Sequence, residues 1–136
     1  MLEFQHTLRV LYPDTDQMGL VHHSNYARYY ETARWEMFRT LNIPYTALEE
    51  AGYLLPVVSL SVKYHQPAFY DQLLTVYTQL KAIKGPRMIL SYRIVNEQNQ
   101  LVNQGETTLA FIYKETRKPC HPPEWLLTTM KNGKLI

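Results

Sequence analysis

The sequence predicts an α+β domain in which one long helix packs against an antiparallel sheet. Three observations carry that prediction. A long stretch repeats apolar residues at three- and four-residue steps, as a helix does, while the segments on either side alternate, as strands do. Short turns join the later alternating segments, which suits antiparallel neighbours. Finally, 136 residues can bury one proper core and have little length left for another, so residues 1–136 read as a single domain.

Taken in order, residues 3–11 form a first strand with Phe4, Leu8 and Val10 on one face. A loop follows from Tyr12 to Ser24. From Asn25 to about Leu41, one side of a helix is marked by Tyr26, Tyr29, Tyr30, Ala33, Met37 and Leu41. Arg28, Thr32, Glu36 and Arg39 mark the other side. Ser24 or Asn25 is the expected N-cap, since either side chain can accept from the free amides of the first turn. Trp35 and Phe38 widen the apolar surface, so the helix should be wrapped on more than one side. "NIPYTALEEAGY" reads as a break, a short helix and a stop at Gly52.

Four strands come next: Val58 to Tyr64, Leu74 to Ala82, Met88 to Ile94, and roughly Leu101 to Tyr113. The turns between them, "PAFYD", "KGPR" and "NEQNQ", are short and predict a meander. An open five-stranded sheet leaves edges that need covering. Eleven tyrosines, a residue suited to strands, pockets and interfaces, point the same way, toward a homo-oligomer.

Composition excludes several classes. A net charge of +2 is far from the basic stripe of a nucleic-acid binder. The single cysteine, Cys120, excludes an internal disulfide and suits a reducing compartment. No apolar run approaches the about 20 residues that span a bilayer. "MLEFQHTLRV" alternates and carries charge, unlike the apolar core of a signal peptide. A cytoplasmic protein without membrane insertion is expected.

The chemistry gathers in "YPDTDQMGLVHHSN", Tyr12 to Asn25. Asp14 and Asp16 are both ordinary turn residues. Either, ionised beside a pocket, could instead attack an electrophile or activate water, and spacing does not choose between them. His22 and His23 are adjacent, so their side chains should point apart, and no third residue stands at zinc-ligand spacing. No metal is expected. Their position matters more, because it lies just ahead of the helix, where amides lack carbonyl partners and the dipole favours negative charge. An acyl carbonyl placed there would be polarised and its oxyanion stabilised. Gly19 would let the loop approach without a Cβ in the way.

A carboxylate facing a helix N-terminus is a minimal acyl-transfer site, and G-x-S-x-G, G-x-G-x-x-G and Walker motifs are all absent from the sequence. Glu31 lies near Trp35 and Phe38 and is expected to pair with Arg28 or Arg34. Buried, it would be a rival acid.

The run Y-x-D-T-D-x-x-G-x-V-H-H-S-N-Y-x-x-Y-Y-E-x-A-R-x-E, Tyr12 to Glu36, closely resembles the signature of the 4-hydroxybenzoyl-CoA thioesterase family of the hotdog fold. The nearer branch is the bacterial acyl-CoA thioesterases, including those associated with Tol-Pal operons. "KYHQPAFYDQLLTVYTQL" and "GETTLAFIYKETRKP" resemble later blocks of the same family. The resemblance implies a long central helix wrapped by a five-stranded antiparallel sheet, in dimers that join sheets and often form tetramers.

It also implies roles. The second aspartate of the D-x-D pair, here Asp16, is the family's nucleophile or general base on a thioester carbonyl. The amide at the helix start, here that of His23, binds the carbonyl oxygen, with Gly19 as a second candidate. Asn25 and Tyr26 match the "N-Y" at the helix start and, with Tyr64, are assigned to the substrate side. The expected substrate is an acyl-CoA or an acyl-carrier-protein thioester, with no cofactor. Lys84 and Arg87 are candidates for the CoA phosphates, as are Arg117 and Lys118. Gln17 and Met18 depart from the small residues many relatives have there, which bears on the acyl pocket. In another hotdog branch the acid sits on the helix, where Glu31 stands here.

Two other readings compete. A non-catalytic acyl-CoA-binding or regulatory module would not require Asp16. A hydratase or dehydratase would require a helix-borne histidine and aspartate, and residues 25–41 contain neither.

Overall fold

The structure is a computed structural model and describes residues 3–133. Strand β1 spans Phe4–Arg9 and is followed by a single 3-10 turn at Tyr12–Asp14. Helix α1 covers Ser24–Thr40, and the short α2 covers Tyr45–Glu50. Then come β2 (Tyr53–Leu54), β3 (Val57–Tyr64), β4 (Leu73–Lys84), β5 (Arg87–Val95), β6 (Leu101–Ala110) and β7 (Ile112–Tyr113). Helix α3, Glu124–Asn132, closes the described chain.

Five strands form one antiparallel sheet in the order β1-β4-β5-β6-β3, and β2 pairs with β7 separately. The α+β class is as the sequence predicts, but the meander is only partial. Strands β4, β5 and β6 are hairpin neighbours, whereas β3 lies on the far edge beside β6. The "PAFYD" run is therefore part of a crossover. His65 and Gln66 stay with β6, both donating to the Val102 carbonyl. Ala68 then accepts from Val21 on the loop before α1, and Asp71 donates to Val10 at the end of β1. Crossing three strand spacings takes roughly 14 Å at ~4.8 Å each, and the eight residues 65–72 can reach roughly 26 Å.

Helix α1 lies across one face of this sheet. Tyr26, Tyr29, Tyr30, Ala33, Met37 and Phe38 are buried, as its periodicity predicts, and Leu41 is half-buried. The Tyr30 ring stacks on Tyr92 of β5, with centroids 4.4 Å apart and planes 7° from parallel. Its hydroxyl donates to Asn103 Oδ1 at 2.5 Å. Gly105 of β6 permits this approach, because a Cβ there would stand 2.7 Å from Tyr30 Cε2. The tyrosine contacts thus set the height of the helix above the sheet.

Three local expectations are corrected. The helix begins at Ser24 with His23 as N-cap, and neither Ser24 nor Asn25 caps it. Instead His22 Nδ1 accepts from the Ser24 amide at 3.3 Å, while the Asn25 side chain turns toward Asp14. Glu31 forms no ion pair among the described residues, because its expected partners are engaged elsewhere. Arg28 pairs with Asp14, and Arg34, only 4% exposed, donates to the Tyr92 hydroxyl. The last predicted strand is split at Phe111, whose amide turns to the Pro86 carbonyl and sends β7 to β2.

Among the described residues no helix is long and apolar enough to cross a membrane.

Candidate active site

The loop before α1 folds around its own aspartates. Asp14 is buried, and its carboxylate accepts from the Tyr29 hydroxyl at 2.8 Å, the Leu11 amide at 3.2 Å and Arg28. Its carbonyl accepts from the His22 amide at 2.9 Å and from Asn25 Nδ2 at 2.8 Å. Asp16, two residues on, is half-buried. Asp16 Oδ1 accepts from the amides of Met18 and Leu20, at 2.8 and 3.3 Å, as short-range Asx bonding in a tight loop would do. Among the described residues nothing donates to Oδ2. One oxygen aims the group and the other is open.

Gly19 makes the return turn with φ of +78°, a conformation that costs a residue with a Cβ. The space around an added Cβ is empty, so Gly19 serves the backbone angle rather than a close approach. Its amide donates to the Asp16 carbonyl at 3.1 Å and is already occupied. The His23 amide, in contrast, has no acceptor among the described residues.

Asp16 and His23 line one cleft of about 350 Å³, together with Leu20, Val21, His22 and Tyr26. The opposite wall is Tyr64, His65, Gln66 and Pro67, where β3 ends and the crossover begins. The Tyr26 ring is 5.8 Å from that of Tyr64, and its hydroxyl accepts weakly from the Ala68 amide at 3.4 Å. Burial raises the Tyr26 phenol above its ordinary value, so it remains a neutral wall at physiological pH. A larger hollow of about 830 Å³ lies between Glu49–Tyr53 and Tyr113–Thr116, away from the helix start. Size does not single out a site; this cleft is marked instead by being lined by both Asp16, with its free Oδ2, and His23, with its unpartnered amide.

The histidine rings do not point apart. They lie side by side, with centroids 4.3 Å apart and planes 31° from parallel. His22 Nδ1 lies 2.8 Å from Ser24 Oγ and 3.3 Å from the Ser24 amide, so its ring is fastened to the first residue of the helix. No group of three His, Cys, Asp or Glu residues converges as a metal site among the described residues.

Of the sequence-assigned site residues, the fold brings together Asp16, His23, Tyr26 and Tyr64. The Asn25 side chain instead donates to the Asp14 carbonyl and is not among the residues that line the cleft. Lys84 and Arg87 also lie outside the cleft lining. They face each other across the β4–β5 hairpin, while the Asp16 loop bonds to Ala68 and Tyr70, just ahead of the other end of β4. Twelve residues of β4 separate the two ends, about 36 Å at ~3.3 Å per residue. Arg117 and Lys118 sit in the turn after β7 and line no part of the cleft. His65, Gln66 and Pro67 also line the cleft, and in the sequence only their place in the "KYHQPAFYD" block marks them.

The profile of the thioesterase-like superfamily matches residues 10–129. The acyl-CoA thioester hydrolase YbgC of Escherichia coli is 32% identical over 128 residues, covering 94% of this chain and 96% of that one. The acyl-CoA thioesterase YbgC of Haemophilus influenzae is 38% identical over 93 residues, 68% of each chain. Among solved structures, a DHNA-CoA thioesterase from Staphylococcus aureus superposes with a TM-score of 0.87 at 30% identity, covering 100% of this chain and 97% of that one. Sheet order, central helix and sequence agree: the chain belongs to the thioesterase-like superfamily and has the hotdog fold of its thioesterases.

Proposed function

We propose that this protein hydrolyses acyl-CoA thioesters, with Asp16 as the reagent and the His23 amide as the oxyanion donor. The observation that carries the reading is the pairing of an open Asp16 Oδ2 with an unpartnered helix N-terminal amide in one cleft. A thioester carbonyl seated between them would accept from the His23 amide, where the helix dipole adds to the pull on the oxygen. Asp16 then takes a proton from water as the water oxygen bonds to the carbonyl carbon. Alternatively Oδ2 attacks and forms an anhydride that water cleaves. Either way the C–S bond breaks, the thiolate leaves and is protonated, and a carboxylic acid is released.

A homodimer, or a tetramer built from it, fits the exposed edge. Among the described residues strand β3 pairs with β6 alone, and on it Val57, Val58, Leu60 and Tyr64 are each about half exposed. A second copy adding its own edge there would cover apolar side chains next to the cleft wall.

The test is thiol release from a panel of acyl-CoAs and acyl-carrier-protein thioesters, comparing the parent protein with Asp16→Ala. The expected result is turnover of at least one acyl-CoA, reduced by at least ~10²-fold in the variant. Hydrolysis confined to the carrier-protein thioesters would move the substrate to that class. Failure to hydrolyse any thioester, with acyl-CoA binding retained, would favour a binding module.

A further inference from the structure

Asp14 is not in the cleft, yet more hydrogen bonds meet at it than at Asp16. Its carboxylate is gripped from α1 by Tyr29 and Arg28 and from the end of β1 by Leu11. Its carbonyl grips the helix start through the His22 amide and the Asn25 side chain. One residue therefore ties the strand, the loop carrying Asp16 and the turn carrying His23 into a single register.

We propose that Asp14 is a positioning residue for the thioesterase reaction, holding the Asp16 carboxylate and the His23 amide in register across the cleft. The argument is geometric and rests on the reading of Asp16 given above. Asp16 is two peptide units from Asp14, and His22, the neighbour of His23, is bonded to the Asp14 carbonyl. A carboxylate can accept from three donors at once, whereas an amide in its place offers one acceptor oxygen and presents an N–H₂ to a donor. Burial, then the bond to the carboxylate, raises the Tyr29 phenol above its ordinary value, so Tyr29 remains a donor to Asp14 across the physiological range. Asp14→Asn should loosen the loop without touching any group that lines the cleft. Misplacing reacting groups by as little as an ångström costs rate more than binding.

The experiment compares the parent protein, Asp14→Asn, Asp16→Asn and the double variant, with kcat, KM and amide hydrogen exchange at Asp16 and His22. Asp14→Asn should lower kcat about tenfold or more, with KM changed no more than about threefold. Exchange at the Asp16 and His22 amides should quicken about tenfold or more, since local opening sets their protection. In the Asp16→Asn background, adding Asp14→Asn should cost residual turnover little more, because a positioning residue acts through the group it positions. Tyr29→Phe, which keeps the carboxylate and removes one donor, should move in the same direction by less, and serves if Asp14→Asn does not fold.

Unchanged kcat and unchanged exchange in a folded Asp14→Asn or Tyr29→Phe protein would overturn the proposal. So would a full, multiplicative loss in the double variant. If Asp16→Asn alone kept parental turnover, the reading of Asp16 would fall, and the exchange rates would still decide whether Asp14 holds the loop.

Discussion

Asp14 and Asp16 stand two residues apart in one loop and belong to two different regions of the molecule. Asp14 faces inward, where a tyrosine, an arginine and a backbone amide consume its carboxylate. Asp16 faces the cleft, with one oxygen consumed by loop amides and the other open. The contrast teaches that a carboxylate's use is set by how many of its acceptor sites the fold leaves free. A fully satisfied group builds the site, and a half-satisfied one can react in it.

The sharpest way to break that contrast is to remove the open oxygen. Asp16→Asn should lose at least ~10²-fold in kcat, about 2.7 kcal/mol of barrier, while thermal unfolding stays close to that of the parent. Asp14→Ala should lower stability as well as kcat. Leaving the Tyr29 hydroxyl and the Leu11 amide without their acceptor should lower unfolding free energy by about 1–3 kcal/mol, read from a denaturant midpoint. The Arg28 partner adds little to that figure, because its side chain is 49% exposed. Gly19→Ala tests the turn between the two regions. Its cost should be about 1–2 kcal/mol of backbone strain, with no steric penalty.

The smallest expected effect is alkaline. Burial keeps the Tyr26, Tyr29 and Tyr30 protons above the ordinary phenol range, and at Tyr29 the Asp14 carboxylate reinforces it. The folded chain therefore retains protons that the unfolded chain sheds above pH about 10. Stability from these groups is complete below that pH and declines as pH rises through the folded values. Phenolate absorbance should show these rings titrating only as the protein unfolds, and Tyr29→Phe should flatten the decline.

Much of this arrangement is legible in the sequence, unevenly and for physical reasons. The stripe from Tyr26 to Phe38 declares the buried face of α1, since helical periodicity and burial are one signal. That Tyr29 meets Asp14 is not legible, because periodicity gives a face and not a partner. Strand β3 reads like its neighbours, and "HQPAFYDQ" looks like a hairpin connection. Its place on the far edge depends on hydrogen bonds to Val102, Val21 and Val10, which no local pattern encodes. Lys84 and Arg87 flank a turn in the sequence, and the fold puts that turn at the end of β4 away from the Asp16 loop.

Helix α3 carries its own signals in the sequence: Pro122 and Pro123 ahead of it, Glu124 in its first turn, and Leu126 and Met130 one turn apart. Spacing does not distinguish Asp16 from Asp14; the family likeness does. The free oxygen supports the proposal that Asp16, and not Asp14, is the reagent.

The most direct test sets Asp16 against the other carboxylate on this part of the chain. Glu31 lines a separate cleft of about 230 Å³ with Ala27, Arg34, Val57, Leu60 and Thr107, and takes no part in the Asp16 cleft. Turnover of the best acyl-CoA substrate should be measured for Asp16→Asn and Glu31→Gln side by side, each checked for parental melting. The account predicts a loss of at least ~10²-fold for Asp16→Asn and no more than a few-fold for Glu31→Gln. Parental turnover in Asp16→Asn, with activity abolished in Glu31→Gln, would contradict it.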